Sequence, residues 1–260
     1  MPVDIRKALK KYVPHLLQAK AENLNEADTV QRIVKVLEEV LDYSAMTEVS
    51  REKQVKGTYV DLAIKIDGVF KLLIEVKSAA SALRDRHIEQ AERYAAEGNV
   101  QWVLLTNGVC WNLYHLTFDE GIEYVKAFEV NLETAPLDQA ATLLGLLHRQ
   151  AIKKGEHEEF WRRRAALHPA SIGKALFCEE VLRFVRRDIR KREGILVDEE
   201  DIARAIHDLF SAQALEQMGP LKIRRRRAGK QVRGPLPEAT AAKEAEKPPE
   251  KAVDGTVKGG

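Results

Sequence analysis

Residues 59–77 read YVDLAIKIDGVFKLLIEVK. Two runs of alternating apolar and polar residues, 60–66 and 70–77, flank Asp67-Gly68, the signature of a β-hairpin. Alternation puts Leu62, Ile64 and Ile66 on one face and Asp61, Ala63 and Lys65 on the other. On the second strand Phe70, Leu72, Ile74 and Val76 oppose Lys71, Leu73, Glu75 and Lys77. A two-residue turn pairs Ile66 with Val69 and throws the two apolar rows onto opposite faces. A three-residue loop, 67–69, pairs Ile66 with Phe70, Leu62 with Ile74 and Asp61 with Glu75. That register aligns the apolar rows and is the one expected.

It also sets two carboxylates side by side, with Lys77 two residues along. Facing acids repel. They become favourable when one is protonated or when a divalent cation lies between them. Hard oxygen donors suit Mg2+ or Mn2+. A lysine beside such an ion can orient water and offset charge on a phosphate. An amphipathic hairpin with an exposed acid, acid and base is the plainer reading of these strands alone.

Outward from the hairpin, Asn25 can cap a helix over 26–41 whose core stripe is Val30, Ile33, Val34, Leu37 and Leu41. Glu26 in its first turn suits the helix dipole. A weakly patterned strand falls within 46–55. After the hairpin a helix over 82–97 stops at Gly98 and carries His87, Gln90 and Tyr94 along one side. A strand over 101–106 turns at Asn107-Gly108 into a second over 109–116. The order is helix, three strands, helix, two strands.

Residues 136–218 read as helical almost throughout. One long helix is expected over 171–192, capped by Ser171 and stopped by Gly194, and another over 199–210 after Asp198. From 222 onward the chain carries a net +6, against −4 for the residues before it and +2 overall. This segment is rich in Pro, Gly, Ala, Lys and Glu and cannot bury enough surface to fold, so it reads as a disordered tail. Its 224–227 arginine run is a solvated charge run or a contact for polyanions. The divisions are 1–133, a mixed α/β domain, 134–220, all-α, and 221–260, the tail. Trp161 and the 162–164 arginines open the helical region, which is expected to pack on the domain before it.

No stretch of about 18 apolar residues occurs, so no membrane span is expected, and the charged start does not resemble a secretory signal. Two cysteines, Cys110 and Cys178, cannot make a four-thiolate zinc site, and a reduced cytoplasmic protein is the expectation. The other histidines show no metal-ligand spacing.

Together these residues resemble the PD-(D/E)XK nucleases, most closely the N-terminal nuclease domain of type I restriction enzyme R subunits. The matching pieces are Glu26 in LNEADTVQRIV, Asp61 in YVDLAIKI, Glu75 and Lys77 in LLIEVKSA, Gln90 and Tyr94 in EQAERYA, and the segment WVLLTNGVCWNLYHL. Val60 stands where the motif has proline. The resemblance covers about 20–130 and implies an α/β, restriction-endonuclease-like three-layer fold with a central mixed β-sheet flanked by helices. It implies Mg2+- or Mn2+-dependent hydrolysis of DNA. Asp61, Glu75, the Val76 carbonyl and Glu26 would hold the metal, Lys77 would position water, and Gln90 and Tyr94 would orient the DNA backbone and the catalytic lysine. No Gly-x-x-x-x-Gly-Lys-Ser/Thr loop is present, so no ATP site is expected in this chain. The expectation is a stand-alone nuclease domain acting as a homodimer or with a separate motor or specificity partner. The competing reading is a catalytically silent module of the same fold that binds nucleic acid or a protein.

Overall fold

The hairpin that anchors the molecule joins β2 (Thr58–Ile66) to β3 (Val69–Val76). The computed structural model describes residues 4–55, 58–118 and 121–224, with backbone only for 52–55, 58, 59 and 90. Asp67 and Gly68 both take left-handed backbone, with φ of 50° and 84°. This is the two-residue turn that matches strand twist, and Ile66 pairs with Val69. The expected three-residue loop is therefore corrected. A bulge follows: Lys65 pairs with Phe70 but Ile64 pairs with Leu72, leaving Lys71 as the extra residue. The bulge restores the expected pairing of Leu62 with Ile74, so the apolar rows still share a face.

The sheet has six strands in chain order, with β1 (Val49–Val55), β4 (Trp102–Thr106), β5 (Cys110–Thr117) and β6 (Glu123–Asn131) completing it. All neighbours are antiparallel except β3 and β4. That parallel pair needs a crossover. It is made by a 3-10 turn, Asp85–Ile88, and α3 (Glu89–Gly98).

Helices cover both faces. On one, Leu62, Ile64, Leu72, Ile74, Leu104 and Trp111 pack with residues of α1 (Ile5–Ala21), α2 (Glu26–Glu39) and α4 (Leu137–Gly145). On the other, Ala63, Leu73, Val103, Leu105 and Tyr114 pack with Ile88, Ala91, Tyr94 and Ala95. This is the expected three-layer arrangement about a mixed sheet. Two elements of it, α1 and β6, were not anticipated. Asp4 caps α1 by accepting from the Lys7 amide, and Leu9 and Leu16 carry the helix into the core despite Pro14 within it.

The helical region docks through α5 (Arg149–Lys154) and α6 (Glu156–Ala166). At the end of the sheet where β4 begins, the Trp102 ring meets His115 at 4.9 Å and His157 at 5.0 Å, and Trp161 stacks on His115 at 4.9 Å. The expected packing of Trp161 on the first domain is thus observed. His157 is 3% exposed, and burial pushes its imidazole down to about 4.

The long helix expected over 171–192 is two, α7 (Pro169–Leu176) and α8 (Glu179–Glu193). The break falls where Phe177 turns into a cluster with Leu182, Ile202 and Ala203. The Arg224 amide donates to Phe177 O at 2.8 Å, and the Glu179 amide to Arg224 O at 3.1 Å. Pro169 and a His168 cap replace Ser171 at the start of α7, whereas Gly194 ends α8 in left-handed backbone as expected. Asp198 precedes α9 (Glu199–His207), and α10 (Ala212–Met218) follows. Leu221 and Ile223 pack on the same cluster, so residues 221–224 belong to the folded part rather than the tail. The rest of the tail, with the 225–227 arginines, lies outside the described residues. Among the described residues no helix is long and apolar enough to cross a membrane.

Candidate active site at the ends of β3 and α2

Strand β3 delivers its last residues to the site while its neighbours fix their height. The Lys77 amide donates to Thr106 O of β4 at 2.8 Å. Asp61 on β2 accepts from the Val76 amide through Oδ2 at 2.7 Å. The loop after β3 is tied down twice: the Ala79 amide donates to Leu24 O at 3.1 Å, and Asn107 Nδ2 donates to Ser81 O at 2.8 Å. The first tie holds the start of α2 beside the strand. There Asn25 caps the helix, accepting from the Asp28 amide at 2.9 Å, and Glu26 projects from the first turn.

These constraints converge on one charge cluster. Lys77 Nζ donates to Glu75 Oε1 at 2.6 Å and lies 3.8 Å from Glu26 Oε2. Glu75 is 3% exposed, and its Oε2 is buried without a hydrogen-bond partner. Burial, with the Asp61 charge nearby, pushes the Glu75 carboxyl up to about 7, against the pull of Lys77. Burial alone would lower Lys77, but Glu75, Glu26 and Asp61 outweigh it and the ammonium is held above its ordinary range. Desolvation and the Lys77 charge push His87 down. A cation is thus held against acids at the mouth of a largely apolar sheet end, with one carboxylate oxygen left unsatisfied. Such an oxygen costs free energy unless a proton or cation meets it.

The structure brings Asp61, Glu75, Val76, Lys77 and Glu26 together. It does not bring Tyr94 to the surface. Tyr94 is 2% exposed within the core under α3, and its hydroxyl is buried without a partner. Its ring packs α3 on the sheet. Gln90 lies in the first turn of α3, but its side chain is outside the described residues. Sequence reasoning took Asn107 only as a turn residue. Its side chain accepts from the Val109 and Cys110 amides and also grips the loop after Lys77. The Asn-Gly pair was the available signal, but the reach of its amide to Ser81 is a tertiary fact.

Donor chemistry can be tested against a divalent ion. Two carboxylates on adjacent strands, one with an orphaned oxygen, and a backbone carbonyl form a hard-oxygen set that fits Mg2+ or Mn2+. Among the described residues no three His, Cys, Asp or Glu side chains stand in a metal-holding array. An ion here would therefore keep several water or phosphate ligands, as magnesium commonly does.

Half-buried Asp61, buried Glu75 and Lys77 thus form one charge cluster at the end of a mixed sheet. Residues 25–129 match the family model described as type I restriction enzyme R protein N terminus (HSDR_N), so the resemblance read from the sequence holds over that segment. The match takes in α2, all of β1 to β5, most of β6, and every residue of the charge cluster. No curated protein matches the chain. Among solved structures, that of the type IIG restriction endonuclease BpuSI is similar at 16% identity with a TM-score of 0.35. That similarity covers 68% of this chain and spans only 23% of the BpuSI chain.

Proposed function

We propose that this chain is a metal-dependent endodeoxyribonuclease of restriction or DNA-processing type. The observation that carries this reading is the buried Glu75, bonded to Lys77 beside Asp61, with Oε2 unsatisfied. The family match at 25–129 supports it. Asp61, Glu75 and the Val76 carbonyl would hold Mg2+ or Mn2+, with Glu26 near enough to Lys77 to act through water. Bound there, the ion supplies Lewis-acid polarisation of the phosphate and hydroxide near neutral pH.

The chain's own residues do the rest. Asp61 is preset by the Val76 amide, so the site needs little reorganisation. Ionised Glu75 would offer its unpartnered Oε2 to the ion, while Lys77, bonded to Oε1, would hold the attacking water and meet the charge growing on the phosphate. Tyr94 keeps α3, and with it the His87 turn, seated on the sheet.

The test is cleavage of supercoiled plasmid in Mg2+ or Mn2+ against EDTA, with Lys77→Ala in parallel. Metal-dependent nicking that the variant loses supports the reading. Well-folded protein that binds DNA but cuts neither duplex nor single strands in either metal replaces it with the silent binding module.

A further inference from the structure

We infer a second anion site, a groove between α1 and α2 that takes a backbone phosphate of the DNA flanking the scissile bond. The inference rests on the nuclease reading above. The groove measures ≈ 520 Å³, with Tyr12, His15 and Leu16 of α1 on one wall and Asp28, Arg32 and Lys35 of α2 on the other. Arg32 is half-buried. Its Nε is buried without a hydrogen-bond partner, and among the described residues the guanidinium joins no ion pair. Its nearest acid on the helix, Asp28 one turn earlier, is engaged elsewhere, accepting from Asn25 Nδ2 at 2.9 Å. Lys35 adds a cation on the same wall, although Glu38 pairs with it at 2.9 Å.

A guanidinium that loses water at Nε without gaining a partner is poorly placed for stability alone. It is well placed to receive an oxyanion, because Arg binds phosphate bidentately through a planar fork. A backbone phosphate fits the location. Leu24 lines the groove, and its carbonyl accepts from Ala79, two residues beyond Lys77. Glu26 and Arg32 are six residues apart on α2, about 9 Å along its axis. A DNA strand presents one charge about every 3.4 Å of its axis. On the nuclease reading, the phosphate taken at Arg32 would lie a few nucleotides along the strand from the scissile one at Lys77.

The experiment measures duplex-DNA affinity against salt in the Lys77→Ala background, so that the DNA stays intact, with Arg32→Ala and Arg32→Lys added. Thermal melting confirms that each variant folds. Arg32→Ala is expected to weaken binding about tenfold for any sequence and to flatten the log–log salt slope by about one unit. Arg32→Lys is expected to restore the slope and only part of the affinity. Unchanged affinity and slope in Arg32→Ala overturns the phosphate site. Arg32-dependent binding with no cleavage by the wild-type chain in any metal overturns the nuclease reading and leaves the site standing. Absence of DNA binding by the wild-type chain overturns both.

Discussion

The two ends of the sheet bury titratable groups in opposite ways. Where β3 and β4 finish, Glu75 is held near neutrality among charges, with an orphaned oxygen. Where β4 begins, His157 is held neutral among aromatic rings, also with an orphaned atom, Nδ1. The first end keeps a lysine in contact with the buried acid. The second is closed by Trp161 and α6. Burial alone therefore does not mark a functional site. What separates the two is a lysine counter-charge bonded to the buried acid at one end and aromatic rings around the buried imidazole at the other.

The largest expected effect separates chemistry from stability. Asp61→Asn should cut the nicking rate by about a hundredfold or more while far-UV circular dichroism stays unchanged. Trp102→Ala should do the reverse. Removing this buried ring should cost about 3–5 kcal/mol, read as a lower Tm, with cleavage retained well below the transition. Loss of cleavage at low temperature in a folded Trp102→Ala protein would join the two ends and break the comparison.

The pH dependences sharpen it. Glu75 has a folded pKa near 7, above its ordinary 4.5. The folded state binds the extra proton between those values, so this group's stabilisation is present at low pH and lost as pH rises to 7. His157 has a folded pKa near 4, below 6.5. The unfolded state binds the extra proton, so its contribution is present above 6.5 and lost as pH falls to 4. Each amounts to about 3 kcal/mol at 1.36 kcal/mol per unit. In the metal-free wild type the two slopes largely cancel between pH 4.5 and 6.5. Glu75→Gln should expose a stability that rises with pH there, and His157→Gln one that falls, both by denaturant unfolding. Parallel slopes in the two variants would defeat the assignment. The smallest effect is at the hairpin tip, where Lys153 pairs with Asp67 at 2.9 Å in solvent. Lys153→Ala should leave both Tm and cleavage unchanged.

The acidic end was the more legible in sequence. Alternation in 60–66 and 70–77 placed Asp61 and Glu75 together, because strand periodicity is local. The turn itself was misread, since nothing in Lys71 announces that it will bulge. The helix α1 was hidden by its charges and Pro14, and β6 because buried and exposed residues follow one another without clean alternation. Tyr94 was placed on the correct helix. Its helical spacing with Gln90 could not show that the ring faces inward, which is decided by the strands it packs on. Arg32 carried no signal at all, because its missing partner is visible only once α1 is in place.

The strands lie in the sheet in the order in which they leave the chain. Each antiparallel pairing joins sequence neighbours through a short connection, so little loop entropy is lost on closing it. The β3–β4 joint alone must wait for α3 to form and cross over. Topologies rich in local contacts fold fast, and here the fast contacts bring Asp61 up to Glu75 within one hairpin. The slow contact, Lys77 on Thr106, sets the lysine. The hairpin thus carries both acids and, two residues past Glu75, the lysine bonded to it, while the height of that lysine depends on the crossover that brings Thr106 alongside.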